Sequence, residues 1–264
     1  MMFSGAPIGQ YYPGESLLHR LDPRTKIAVT GTLVVVLFFL HRWPAFLILG
    51  TVLLAAQVVA GIPPRLLWRS MRSILAVIVF TFILQLFMTP GQVWFRLGPL
   101  TATYAGLGMG LVTAGRLILL ILSTSLLTFT TSPIALTDGL EYLLRPLRRV
   151  RVPAHEIAMM MSIALRFIPT LLEEADKIMK AQTARGADFH SGNVLRRARS
   201  MVPILVPLFV GSFRRADDLA MAMEARCYRG GEGRTRLRVL RMGAADFATL
   251  AGAALLMGLA LVWR

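Results

Sequence analysis

Five apolar stretches divide this chain, and the residues that interrupt them set what each stretch can be. Asp22 suits a helix N-cap and Pro23 a first helical position, so a helix begins there. The apolar run Ile27 to Leu40 is short for a bilayer crossing; adding Pro23 to Lys26, with basic side chains snorkelling, brings it to length. His41 to Pro44 forms a tight hairpin with Trp43 at interface depth, and a second span covers about 45–60, ending at Gly61 to Pro64. Arg65, Arg69 and Arg72 precede a third span, Ser73 to Met88, which Thr89, Pro90 and Gly91 break. Residues 92–104 read as an outer loop, and a fourth span covers about 105–130. Its Gly106, Gly108 and Gly110 allow close helix contact, and Arg116 is expected at the bundle interior or an edge rather than facing lipid. The last span is Gly243 to Trp263.

The stretch between the fourth and last spans follows another rule. Ser132 and Pro133 read as a cap and a first-turn proline for a helix Ile134 to Arg149, whose basic end suits the helix dipole. His155 to Ala184 reads as a long helix bent by Pro169. In its second half Leu171, Leu172, Ala175, Ile178, Met179 and Gln182 share one face, while Glu173, Glu174, Asp176, Lys177 and Lys180 take the other. After a break at Gly186 to Asn193, another helix reaches about Tyr228. Pro203 and Pro207 interrupt it, and its apolar stripe is Leu208, Phe209, Ser212, Phe213, Ala216, Leu219, Ala220 and Met223. A Gly/Arg-rich linker, Arg229 to Arg241, follows. Both helices are too charged to cross lipid and too apolar on one face to stand alone, so they should pair with each other and dock on something. The expected organisation is a four-span membrane bundle over 1–131, cytoplasmic helices over 132–242 and a final span over 243–264.

Composition agrees with a membrane class. Of 264 residues, 55% are hydrophobic and 16% charged, with a mean hydropathy of +0.62, whereas soluble domains carry about a quarter charged residues. The N-terminal residues show no signal-peptide pattern. A net charge of +15 raises the question of nucleic acid. With the spans above, 25 of the 29 lysines and arginines fall on one side of the membrane and three on the other. The positive-inside tendency accounts for that asymmetry without a polyanion. It places the N-terminus in the cytoplasm and the C-terminus outside. The single Cys227 excludes an intrachain disulfide and any multi-cysteine metal site.

The feature that points to function is a repeat. Residues 175–186 and 216–227 share Ala, Asp, Ala, Ala and Arg at the same offsets, and each copy ends a helix at an arginine, Arg185 or Arg226. Arginine at a helix C-terminus has an ordinary explanation in the macrodipole. A correlated repeat at one fixed spacing points further, to a shared role. An arginine at a helix tip projects a planar cation that can make bidentate contacts in a partner's groove. Two matched tips suggest two matched sockets, as a dimeric partner supplies. The acidic groups Glu173, Glu174, Asp176, Asp217 and Asp218 alternate with Lys177, Lys180, Arg214 and Arg215, the pattern of a solvated helix face. The four histidines have no ligand spacing and no nucleotide-binding glycine loop occurs, so neither catalysis, metal nor cofactor is expected. Met159, Met160, Met161, Met179, Met221 and Met223 lie on or near the amphipathic faces as core filler or as an adaptable contact surface.

At these residues the chain resembles the transmembrane T component of energy-coupling factor (ECF) vitamin transporters. The likeness spans nearly the whole chain. It rests on Tyr12 to Ser16, Leu18 to Lys26, Thr131 to Glu141, Ala164 to Glu174, Ala184 to Gly186 and Glu224 to Gly231. The resemblance implies an L-shaped all-α membrane protein, with about five transmembrane helices and long cytoplasmic coupling helices, the two longest crossing as an X. It implies that Ala184, Arg185 and Gly186, and Ala225, Arg226 and Cys227, enter grooves of two ATP-binding-cassette ATPases. The second motif departs from the family pattern, with cysteine where glycine stands in the first, which keeps the arginine but alters close backbone approach. The same helices would cradle a small membrane S component; the contacts expected are Leu172, Ala175, Met179, Phe213, Ala216 and Met223. On this reading the chain couples motion without catalysing a reaction, with the lipid bilayer and these proteins as partners and no nucleic acid. A conventional permease with its own substrate path, and an intramembrane enzyme, are the competing classes. Two long amphipathic helices argue against the first, and a missing catalytic constellation against the second.

Overall fold

The computed structural model describes residues 11–97, 100–150, 152–187, 189, 193–230 and 240–262. These comprise helices α1 (Leu17–Arg20), α2 (Pro23–Phe39), α3 (Trp43–Val59) and α4 (Pro64–Met88), then strands β1 (Val93–Leu97) and β2 (Leu100–Thr103). They continue with α5 (Tyr104–Thr130), α6 (Pro133–Leu144), α7 (Ala154–Ala184), α8 (Val194–Ala225) and α9 (Ala244–Val262). The described residues are all-α apart from one antiparallel pair, so much of the stretch expected as an outer loop is in the paired strands β1 and β2. The described residues fall into two compact units, one comprising the chain up to Leu140 and from Leu240 onward, the other Glu141 to Gly230.

Helix ends follow local chemistry. Asp22 caps α2 by accepting the Arg24 N–H at 2.9 Å, with Pro23 opening the helix. Ser132 Oγ accepts from the Ala135 N–H at 3.3 Å ahead of α6. That helix stops at Leu144, short of the expected Arg149, and Arg145–Val150 tightens into a 3-10 helix; Pro146 lacks the N–H that an α-helix needs there. Helix α4 begins at Pro64, so Arg65, Arg69 and Arg72 belong to the same helix as the apolar stretch they were expected to precede. Helices α7 and α8 continue through Pro169 and through Pro203 and Pro207. The last expected span ended at Trp263, which lies outside the described residues, as does most of the Arg229 to Arg241 linker.

In the first unit, α2, α3, α5 and α9 enclose a core of Leu33, Val36, Leu37, Leu40, Phe46, Leu49, Leu53, Leu119, Leu122 and Met257. The outward face is apolar as well: Val35, Phe38, Leu47, Val58, Val77, Phe80 and Leu255 are exposed. A solvated monomer does not tolerate so large an apolar exterior, whereas hydrocarbon does. Helix α4 packs on α5 through Gly106 and Gly110, one turn apart. A side chain at Gly106 would lie 2.6 Å from the Gln85 and Leu86 carbonyls, and one at Gly110 3.0 Å from Phe82. Gly108, expected to share this role, faces open space.

Among the described residues, four helices are long and apolar enough to cross a membrane: α4, α5, α7 and α9. Helix α3 is a shorter apolar helix, and α2, like α3, has 17 residues. This set differs from the five expected spans. Helix α7 qualifies because charge is sparse in its first half, where Glu156 and Arg166 are the only Asp, Glu, Lys or Arg before Glu173.

Polar groups within this unit are consumed in helix ends. The Arg116 guanidinium donates to the Leu37 carbonyl through Nε and to the Leu40 carbonyl through a terminal nitrogen, both at 3.0 Å, and lies over the Phe38 ring. It therefore caps the C-terminus of α2, where orphan carbonyls and the dipole favour a cation. Lys26 Nζ does the same for α5, donating to the Thr130 carbonyl at 2.9 Å and to the His19 carbonyl at 3.2 Å. Asp246, 4% exposed, accepts the Asp22 N–H and the Gly243 N–H, each at 2.8 Å, and so pins the starts of α2 and α9 together. Much of the Leu21 to Lys26 motif is a set of helix-end clamps.

Candidate functional site: two arginine-tipped helix ends

Both repeated motifs end their helices in the same backbone turn. At the end of α7 the Gly186 N–H donates to the Thr183 carbonyl and the Ala187 N–H to the Gln182 carbonyl, each at 3.0 Å. At the end of α8 the Cys227 N–H donates to the Glu224 carbonyl at 2.8 Å and the Tyr228 N–H to the Met223 carbonyl at 3.0 Å. These are paired Schellman closures, in which the residue after the cap turns left-handed. Gly186 has φ +86° and Cys227 φ +55°, and Cys227 is the non-glycine residue with positive φ among those described. The capping arginines match too: Arg185 has φ −86° and ψ 8°, Arg226 φ −91° and ψ 15°. Both arginines are exposed. The cysteine thus keeps the turn that glycine makes in the first motif, against a penalty of about 1–2 kcal/mol for a left-handed residue with a Cβ. A Cβ at Gly186 would meet nothing within 4 Å, so conformation rather than space calls for glycine there.

The two helices pair antiparallel. Glu174 forms an ion pair with Arg215, and Gly211 allows close approach: a Cβ there would lie 2.9 Å from Glu174 Oε1. Glu174 was expected on a solvated face; it lies instead at the helix–helix contact. Further along, the Tyr228 hydroxyl lies 3.5 Å from His155 Nε2, so the end of α8 meets the start of α7. Antiparallel pairing sends the two C-termini to opposite ends. Helix α7 has 31 residues, and at 1.5 Å per residue the tips stand roughly 45 Å apart.

Between the tips runs an apolar surface. Of the residues expected to meet a membrane partner, Phe213 is 68% exposed, Ala216 is exposed, and Leu172, Ala175, Met179 and Met223 are half-buried. The exposed apolar surface includes Phe209 of the expected stripe and extends further up α8 than the periodicity indicated, through Met201, Val202, Leu205, Val206 and Val210. The signal was present in the sequence as an apolar run from Met201 to Val210, set apart by its two prolines. Met160 and Met221 are exposed as well. In the sequence Glu141 and Tyr228 fall in the family-like segments and His155 is left without a role, but nothing there shows that their side chains meet, which folding alone brings about. Among the described residues no group of three or more His, Cys, Asp or Glu stands where it could hold a metal ion.

Long apolar helices and an apolar exterior define a multi-pass membrane protein, and its two longest described helices, both charge-bearing, end in matched cationic tips. A family model described as cobalt transport protein (CbiQ) matches residues 14–237. The energy-coupling factor transporter transmembrane protein EcfT of Thermosediminibacter oceani is 59% identical over 249 residues, 94% of each chain. Its counterpart in Ruminiclostridium cellulolyticum is 53% identical over 240 residues, covering 91% of this chain and 90% of the relative. That of Bacillus subtilis is 48% identical over 240 residues, covering 90% and 91%. The chain belongs to this family of energy-coupling factor transporter transmembrane proteins. Members of the family are non-catalytic transport subunits.

Proposed function

We propose that this chain is the mechanical coupler of an ECF-type importer, carrying the motion of two ABC ATPases to a small membrane S component. The observation that carries the reading is the pair of like Schellman turns presenting Arg185 and Arg226 at opposite ends of one antiparallel helix pair. One ATPase cannot easily engage tips roughly 45 Å apart, but a pair of like subunits offers two like grooves. Ala184, Arg185 and Gly186 enter one groove and Ala225, Arg226 and Cys227 the other. When ATP draws the ATPases together, both tips move with their sockets, and the angle between α7 and α8 changes. The apolar surface around Leu172, Ala175, Met179, Phe213, Ala216 and Met223 then reorients or releases the S component. Such motion requires the ATPases to bind the tips differently in their two states.

In this reading α2, α3, α4, α5 and α9 are the five spans, with the N-terminus cytoplasmic and the C-terminus outside. Residues 1–131 form the N-terminal bundle, 132–242 the coupling helices and 243–264 the last span. Helix α7 stays out of the bilayer because Glu173, Glu174, Asp176, Lys177 and Lys180 crowd its second half. The test is Arg185→Glu and Arg226→Glu, singly and together. Each single variant weakens ATPase association, and the double variant abolishes both copurification and substrate uptake. Wild-type association and uptake in the double variant refute the model.

A further inference from the structure

We propose that His155 is a positioning residue for the second arginine tip, acting through the Tyr228 hydroxyl; this rests on the reading that Arg226 engages an ATPase. His155 lies in the first turn of α7, and Glu141 Oε1 accepts from its Nδ1 at 3.1 Å. Their side chains are 21% and 14% exposed. In the tautomer whose Nδ1–H donates to Glu141, Nε2 is the acceptor, and the Tyr228 hydroxyl is placed 3.5 Å away to donate to it. Tyr228 is the residue whose N–H closes the turn on the Met223 carbonyl, two positions beyond Arg226. A short chain of polar contacts thus runs from α6 through the start of α7 to the backbone that holds Arg226.

The need for such a brace follows from the difference between the two tips. At the first, glycine takes the left-handed position freely, and the next residue is Ala187, which has no polar side-chain atom. At the second, Cys227 holds a conformation that residues with a Cβ disfavour, at φ +55°. Left alone, that turn would open more readily and let the arginine wander. An anchor on the residue just past it compensates, and Tyr228 on His155 is that anchor.

The experiment measures the affinity of the full-length chain in lipid nanodiscs for the ATPase subunits of its own transporter. Tyr228→Phe and His155→Asn each weaken it roughly threefold to tenfold, the size of one lost hydrogen bond. His155→Gln, whose amide can restore an acceptor near the Nε2 position, recovers most of that loss. In an Arg226→Ala background Tyr228→Phe adds nothing, whereas in an Arg185→Ala background its full effect persists. Equal losses in both backgrounds mark a general structural role and overturn the proposal, as does unchanged affinity in Tyr228→Phe when Arg226→Ala alone weakens binding. Wild-type affinity in Arg226→Ala sinks the ATPase reading, and this inference with it.

Discussion

The carboxylate of Asp246 is the most exacting point in the membrane unit, and replacing it tests how that unit is held together. Its two oxygens accept two backbone N–H groups at 2.8 Å, one from Asp22 and one from Gly243. Asp22 is 6% exposed and Asp246 4%, so water cannot readily take the place of either bond. A hydrogen bond to a charged group contributes about 1.5–3 kcal/mol, and an orphaned buried donor costs a similar amount. Asp246→Ala removes both bonds and is expected to destabilise the protein by about 3–6 kcal/mol. Asp246→Asn keeps the shape and one acceptor, but turns an NH2 toward the other donor, for a loss of about 2–3 kcal/mol. At about 2–4 °C per kcal/mol for a chain of this size, the alanine variant should unfold at least about 6 °C lower. The assay is thermal unfolding of the purified protein in detergent, read by tryptophan fluorescence and by loss of the monodisperse size-exclusion peak. Asp217→Asn, at an exposed position on α8, serves as the control and should leave the midpoint in place. A wild-type midpoint for Asp246→Ala refutes the clamp between the starts of α2 and α9.

Three further outcomes follow from the same structure. Arg116→Met strands the Leu37 and Leu40 carbonyls and should destabilise by about 1–3 kcal/mol; Arg116→Lys, with a single ammonium, should recover part of that in the same thermal assay. Gly106→Val drives a side chain into two carbonyls of α4 and should abolish monodisperse expression, while Gly108→Val, facing open space, should express normally. At the tips, Cys227→Gly relieves the left-handed penalty, partly offset by glycine's unfolded-state entropy, and should stabilise by about 0.5–1 kcal/mol. Gly186→Val should destabilise by about 1–2 kcal/mol. Amide hydrogen exchange at residues 182–187 and 223–228 reads both, slowing in the first variant and quickening in the second.

Local chemistry was legible in the chain. Asp22 before Pro23 and Ser132 before Pro133 set where α2 and α6 begin, because capping and proline geometry need only near neighbours. Apolar runs located α3, α5 and α9, and the repeat ending at Arg185 and Arg226 located both tips, since matched turns need matched residues. That α7 and α8 pair was expected from their apolar faces; what required tertiary structure was which side chains meet across sequence distance. Nothing near Asp246 announces that it accepts from Asp22, and nothing near Arg116 announces the α2 carbonyls it caps. Glu174 read as a solvated acid because helical periodicity cannot see Arg215 on another helix. The left-handed turn at Cys227 was hidden as well, since cysteine gives no local sign of a conformation that its neighbours impose. Sequence by itself determined which residues form the two tips. The antiparallel pairing of α7 and α8 decided that those tips face opposite ways, for only folding converts a spacing along the chain into a distance in space.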